Sequence, residues 1–292
     1  MTVGPGVVID AIPLAPPRVS LLTSVDVIPA GDERWANGMQ WAPEACAPPD
    51  DPYWWVCPEG EGGAAPDYTK VIPPPESVLE YRPYDVWVGF RCGNQAVRSG
   101  EYQQLATRAI DAFQSSLIER ELWAGAVAQA AGFPNDYLTN SPTSLNSDAA
   151  TPFVRALGEL EQALAECQPG QTGVVHAQPR LVTLWLSEGL VVPEPNGRRL
   201  RTALGTIVVP GAGYDGSGTS LPAGGTVAAS YAYGTGMVRV WLGDQVVIGG
   251  EGGDYEMETS TNTVAVRVER AVAATWDECC QVAIQVDHTK DL

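Results

Sequence analysis

The 292 residues carry 35 acidic against 17 basic side chains, a formal net charge of -18, with a hydrophobic fraction of 45%. That balance excludes wholesale disorder, and with no basic run to oppose it the charge repels a phosphate backbone, which excludes sequence-specific nucleic-acid binding. No apolar run approaches the ~18 residues of a membrane span, the N-terminus lacks the basic region of a targeting signal, and six cysteines are too few for a disulfide scaffold; the expectation is a soluble chain made and kept in a cytoplasm.

Residues 1–30 read as an arm, mostly apolar and cut by Pro13, Pro16 and Pro17. A segment without helical period does not offset its own ordering entropy, so it needs another surface, of this chain or a neighbour. Residues 31–98 are rich in aromatics, among them Trp35, Trp41, Trp54, Trp55 and Trp87, interleaved with proline-rich turns such as "APEACAPPDDP" and "IPPPES". Such turn density forbids long helices, and short extended pieces such as Asp85–Arg91 are expected. The aromatics form either a local core or interface anchors.

The most regular segment is "SGEYQQLATRAIDAFQSSLIERELWAGAVAQAAG", residues 99–132. Ser99 suits an N-cap, and an apolar stripe runs through Leu105, Ala109, Ile110, Phe113 and Leu117 to Val127, with Gly132 at the stop. One helix of about 30 residues, roughly 45 Å long, is expected. Thr151 and Pro152 then read as an N-cap and first turn of a second helix through Phe153, Leu157, Leu160, Leu164 and Cys167, stopped by Gln168-Pro169-Gly170. "GVVHA" reads as a buried strand and "PRLVTLWLSEG" as a third helix opened by proline and closed by Gly189. From about residue 199 the pattern turns to strands: 200–209, 226–233, 237–242, 246–248, and the period-two runs around Val264–Val268 and Val282–Val286. Helices first and strands later, without a repeating βα rhythm, indicate an α+β fold.

Gly211, Gly213 and Gly216 in "TIVVPGAGYDGSG" match the G-x-G-x-x-G spacing of a dinucleotide loop. That loop works only when a helix follows directly, because the helix N-terminus holds the pyrophosphate. Here "SGTSLPAGGT" follows, so no nucleotide or other cofactor is expected, and the glycines let a loop turn tightly and pack close to something. His176, in apolar "VVHAQP", reads as a buried hydrogen-bonded side chain, and His288 lies near a C-terminus expected to fray. Neither has metal-ligand spacing. Cys46, Cys57 and Cys92 lack a C-x-x-C pattern, and Cys279 and Cys280 are adjacent in a strand-like region, so free buried thiols are expected, with a Cys46–Cys57 disulfide on exposure to oxygen as the alternative. No nucleophile motif or paired carboxylate stands out, and the chain reads as non-enzymatic.

The order of these elements resembles the major capsid protein of tailed phages, a shell fold shared with encapsulins. "EYQQLATRAIDAFQSSLIERELWAG" looks like the family's spine helix, "GVVHAQPRLVTLWLSEGL" like its axial-domain strand and helix, and "RRLRTALGTIVVPGAGYDG" like the segment near the ring centre. "TNTVAVRVERAVAATWDECCQVAIQVD" is similar to the closing strands. The resemblance implies an N-terminal arm (1–30), an extended-loop equivalent (31–98), a peripheral domain (99–170), an axial domain (171–235) and strands returning to the peripheral domain (236–292). The extended loop is usually a two-stranded hairpin in this family, and residues 31–92 do not read as one. The implied function is a structural subunit of an icosahedral shell in a virion, assembled in the host cytoplasm. Its partners are further copies in pentamers and hexamers, with decoration, portal or scaffolding proteins, around DNA as contents. An encapsulin-like compartment and a head-decoration or tail protein are the alternatives. Trp35, Trp41, Trp54, Trp55, Gly211, Gly213, Tyr214 and Gly216 become candidate assembly-interface residues. Some family members cross-link subunits through lysine, and Lys70 is the lysine in the corresponding region.

Overall fold

The structure, a computed structural model, describes residues 15–30, 35, 37–41, 79–93, 99–168, 170–195, 197–218, 228–248, 256–258, 263–276 and 280–288. Two sheets organise them. The first is built on the 14-residue strand β15 (Thr263–Trp276). β4 (Tyr84–Gly93) pairs antiparallel along one edge of β15, from Tyr84↔Val272 to Gly93↔Thr263. Along the other edge lie β12 (Val238–Leu242), β13 (Val246–Ile248) and β14 (Glu256–Glu258), all antiparallel. Period two explains the burial: Val266 and Val268 face the core while Arg267 between them is exposed.

Residues 20–30, part of the expected arm, find the surface they need on this chain and belong to this body. Leu21–Ser24 (α1) is a helical turn whose entry is fixed by Ser20 N–H donating to Thr23 Oγ1 (2.8 Å), and Leu21 and Val25 are buried. β1 (Asp26–Pro29) then adds to the sheet edge, parallel to β12 with Asp26 opposite Arg239. Residues 1–14 lie outside the described residues. In the aromatic region β2 (Met39–Trp41) and β3 (Leu79–Tyr81) pair antiparallel as a separate two-stranded sheet. Residues 42–78, with Trp54, Trp55 and Lys70, fall outside the described part.

α2 (Ser99–Ala124) covers the inner face of the first sheet, burying Ala106, Ala109, Ile110, Ile118 and Leu122, and its 26 residues span roughly 39 Å. It is shorter than expected. Gly125 adopts a left-handed conformation (φ 59°) and closes it, and α3 (Ala126–Ala131) restarts at once on a new axis. The Glu121 carboxylate accepts from Val127 N (2.8 Å) and Ala128 N (2.8 Å), capping the new helix from the old one. Phe113, expected in the apolar stripe, is exposed, because α2 turns Ser115 and Glu119 inward instead, and Val127 is exposed on α3, beyond the break at Gly125.

The second sheet has the order β5-β16-β11-β7-β10-β9-β8, with β6 also on β16. Its strands are β5 (Thr143–Ser144), β6 (Thr151–Pro152), β7 (Val174–Ala177), β8 (Val191–Pro193), β9 (Leu200–Thr202), β10 (Ile207–Pro210), β11 (Ala229–Thr235) and β16 (Gln281–Asp287). α4 (Phe153–Cys167) and α5 (Pro179–Ser187) pack on one face. The central strands are buried on both sides, which explains their unbroken apolar runs. Val175, Val208 and Ala232 join α4 and α5, while Val174, Ile207, Val209, Tyr231 and Tyr233 join the core of α2 and the first sheet.

The α+β class holds. α4 lies on the second sheet, and of the strands after residue 236, β12–β15 join the first sheet and β16 the second. Thr151-Pro152 pairs with β16 before α4 begins, so Thr151 is not the cap; Pro152 holds that position. The expectation of free thiols is corrected at one pair: a disulfide joins Cys167 to Cys280, their Cα atoms 5.7 Å apart. The sequence hid it because 113 residues separate the two cysteines.

Candidate assembly surface and the junction behind it

Gly211, Gly213, Tyr214 and Gly216 are buried within the chain itself, where the two sheets meet α2. Gly213 lies against the helix backbone; a Cβ there would stand 2.2 Å from Ser116 O and 2.7 Å from Arg120 N. Gly211 lies under the Tyr214 ring, and Gly216 takes a left-handed turn (φ 73°) over Gln178. The partner of the glycine loop is therefore α2. Glu119, 1% exposed, is the fastening. Its carboxylate accepts from Leu21 N (2.9 Å), Ser115 Oγ (3.0 Å) and Gly213 N (3.0 Å), joining α1, α2 and the loop. Burial raises its pKa, and the hydrogen bonds from Leu21, Gly213 and Ser115 oppose that rise.

Beside it stands an aromatic cluster. Trp123 meets Tyr214 at 5.0 Å and Tyr233 edge-on at 4.7 Å between ring centroids, and its Nε1 donates to Ser217 Oγ (3.1 Å). His176 Nδ1 contacts Tyr214 Oη (2.8 Å) and Nε2 contacts Thr235 Oγ1 (3.0 Å). Thr235 donates its own hydrogen to Gly236 O (2.8 Å), so it accepts from His176 Nε2–H, and Nδ1 accepts from Tyr214. Burial pushes the imidazole pKa down to about 3. With two hydroxyl partners and no path to solvent, this neutral ring holds the core together, as its apolar flanks suggest. His288 is anchored too, Nε2 to Ser230 Oγ (2.8 Å) and its backbone N–H to Ala228 O (2.7 Å). Among the described residues no group of His, Cys, Asp and Glu could hold a metal, and no helix is long and apolar enough to cross a membrane.

The apolar groups open to contact lie elsewhere. Trp35 and Trp41 are half-buried against the first core. Trp87 is 57% exposed on the outer face of the first sheet, the face opposite α2. Register sets Trp87, Glu269 and Val246 in one row across β4, β15 and β13, beside the Arg267–Glu269 ion pair (2.9 Å). Leu204, 81% exposed, sits in the tight turn joining β9 to β10 before Gly205 (φ 97°). The sequence contained both signals: Trp87 alternates with inward Val86 and Val88, and Leu204 is an apolar residue beside a turn glycine.

No family model and no curated protein matches the sequence. Solved structures do. The capsid of a native GTA particle aligns over 98% of this chain and 95% of its own, with a TM-score of 0.55 at 10% identity. The capsid of an empty GTA particle gives 97% and 95%, 0.53 and 11%. A chain of Gordonia phage Cozz gives 92% and 86%, 0.51 and 13%. This is the shell fold of tailed-phage capsids. The likeness runs from end to end, so both sheets and α2 belong to the capsid fold and neither is an appended unit. The Glu119 junction is then an inner seam of this fold, between its two sheets.

Proposed function

We propose that this chain is a non-enzymatic shell subunit that assembles with copies of itself into the pentamers and hexamers of an icosahedral virion capsid around DNA. The observation that carries the reading is the end-to-end likeness to the GTA capsid chains. In this assignment α2 is the stiff spine, the β2–β3 pair belongs to the extended-loop region, and Trp54, Trp55 and Lys70 of that region serve as contacts to neighbours. The second sheet is the axial unit, with Leu204 at its tip, and Trp87 offers a contact on the peripheral plate. Burial of such side chains stabilises association by about 25 cal/mol per Å² before the ordering costs of binding. A net charge of -18 suits a container whose wall must not adhere to packaged DNA.

The test is expression of the protein alone followed by negative-stain microscopy. Closed particles of uniform diameter are expected, and a well-folded monomer at high concentration would overturn the proposal. Particles from the native source that protect DNA from nuclease support a capsid; particles filled with a protein cargo would overturn the DNA-enclosing assignment.

A further inference from the structure

Cys167 is the last residue of α4 and Cys280 immediately precedes β16. The two elements are held together without sulfur, since Leu160 and Leu164 of α4 share a core with Val282 and Ile284 of β16. Folding therefore delivers both sulfurs to one place, with Cα atoms at 5.7 Å, inside the range that a disulfide spans. Their surroundings differ: Cys167 is half-buried at the helix end, and Cys280 is 2% exposed.

We infer that Cys167 and Cys280 form a redox lock, thiols while the chain is made and assembled, and closed once the particle leaves the reducing interior of the cell. The inference rests on the shell reading, because only a particle made in a cytoplasm and then released crosses that boundary. The oxidant is a low-molecular-weight disulfide of the glutathione class. The Cys167 thiolate, the accessible sulfur, attacks one sulfur of that disulfide, forming a mixed disulfide and expelling one small thiolate. Cys280, after losing its proton, attacks the Cys167 sulfur and expels the second. One small disulfide is reduced to two thiols as two cysteine thiols are oxidised to one bond. The bond then ties α4 to the final strand, closing a loop of 113 residues in each subunit of the finished shell.

The experiment uses full-length chain purified with every cysteine reduced, treated with oxidised glutathione at neutral pH and mapped by differential alkylation and mass spectrometry. The expected result is a Cys167–Cys280 linkage that raises the thermal midpoint by about 5–10 °C over the reduced protein and reverses with dithiothreitol. Cys280→Ser should accumulate glutathione on Cys167, while Cys167→Ser should leave Cys280 unmodified. Three results would each overturn the lock: no linkage in the folded protein, no change in midpoint, or the same linkage already present in protein alkylated inside intact cells. Microscopy of the reduced sample is independent. Absence of particles would remove the shell reading while leaving the measured chemistry of the pair intact.

Discussion

His176 shows how one buried side chain makes this fold sensitive to acid. Its pKa, lowered by burial to about 3, lies below the ordinary 6.5 that the unfolded chain recovers. Below pH 6.5 the unfolded state binds a proton that the folded state refuses. The stability it contributes is complete above 6.5 and is lost as pH falls toward 3, at about 1.4 kcal/mol per pH unit. Glu119 works in the opposite sense: burial raises its pKa, so its contribution favours folding at low pH and is lost as pH rises through the folded value. Substitution separates the two. Urea unfolding of wild type and His176→Gln between pH 4 and 7 should give a steep loss of stability in the wild type and a flatter profile in the variant. Parallel profiles would refute the assignment. The neutral histidine was legible in "VVHAQP", because valines on both faces of a short strand leave its ring no route to water. Its partners were not legible, since Tyr214 and Thr235 lie 38 and 59 residues away.

Among the elements, α2 was the most readable and its end the least. Twenty-six residues without proline announce a helix, yet the turn at Gly125 depends on Tyr137, whose ring occupies the space that a Cβ would need. In the second sheet β7 and β10 were visible because burial on both faces leaves them apolar, whereas the short edge strands β5, β6 and β8 carried no such signal. The glycine loop was recognised as a tight turn packed close to something, and α2 as that something could not be read, because Glu119 is separated from Gly213 by 94 residues. Gly213→Ala tests the contact. The added methyl meets backbone atoms of Ser116 and Arg120, which cannot rotate away, so the loop or the helix must move and the Glu119 hydrogen bond lengthens. Overpacking of this kind costs about 1–3 kcal/mol or more, expected as a lowered urea midpoint. An unchanged midpoint would mean that the loop is not seated on α2.

On the scale of the whole molecule, residues 20–30 of the N-terminal segment build the folded body, and we propose that residues 1–14 serve assembly. Sequence reading treated them as one arm because prolines and the lack of helical period run through them alike. Tertiary contacts separate them: Leu21 and Val25 fill the core between α2 and the sheets, Leu21 N–H reaches Glu119, and β1 extends the sheet beside β12. Two deletions should therefore behave differently. Removing residues 1–14 should leave the unfolding midpoint of the isolated subunit in place and prevent shells from closing. Removing residues 1–25 takes away two buried aliphatic side chains, each worth about 2–5 kcal/mol in a core, against a total stability of roughly 5–15 kcal/mol. It also leaves the Glu119 carboxylate short of a donor in a buried site. That variant should unfold at much lower urea or accumulate as aggregate, before any question of assembly arises. Equal stability of the two truncated chains would show that α1 and Val25 are not part of the core. Normal particles from the shorter deletion would show that closure does not require the first fourteen residues.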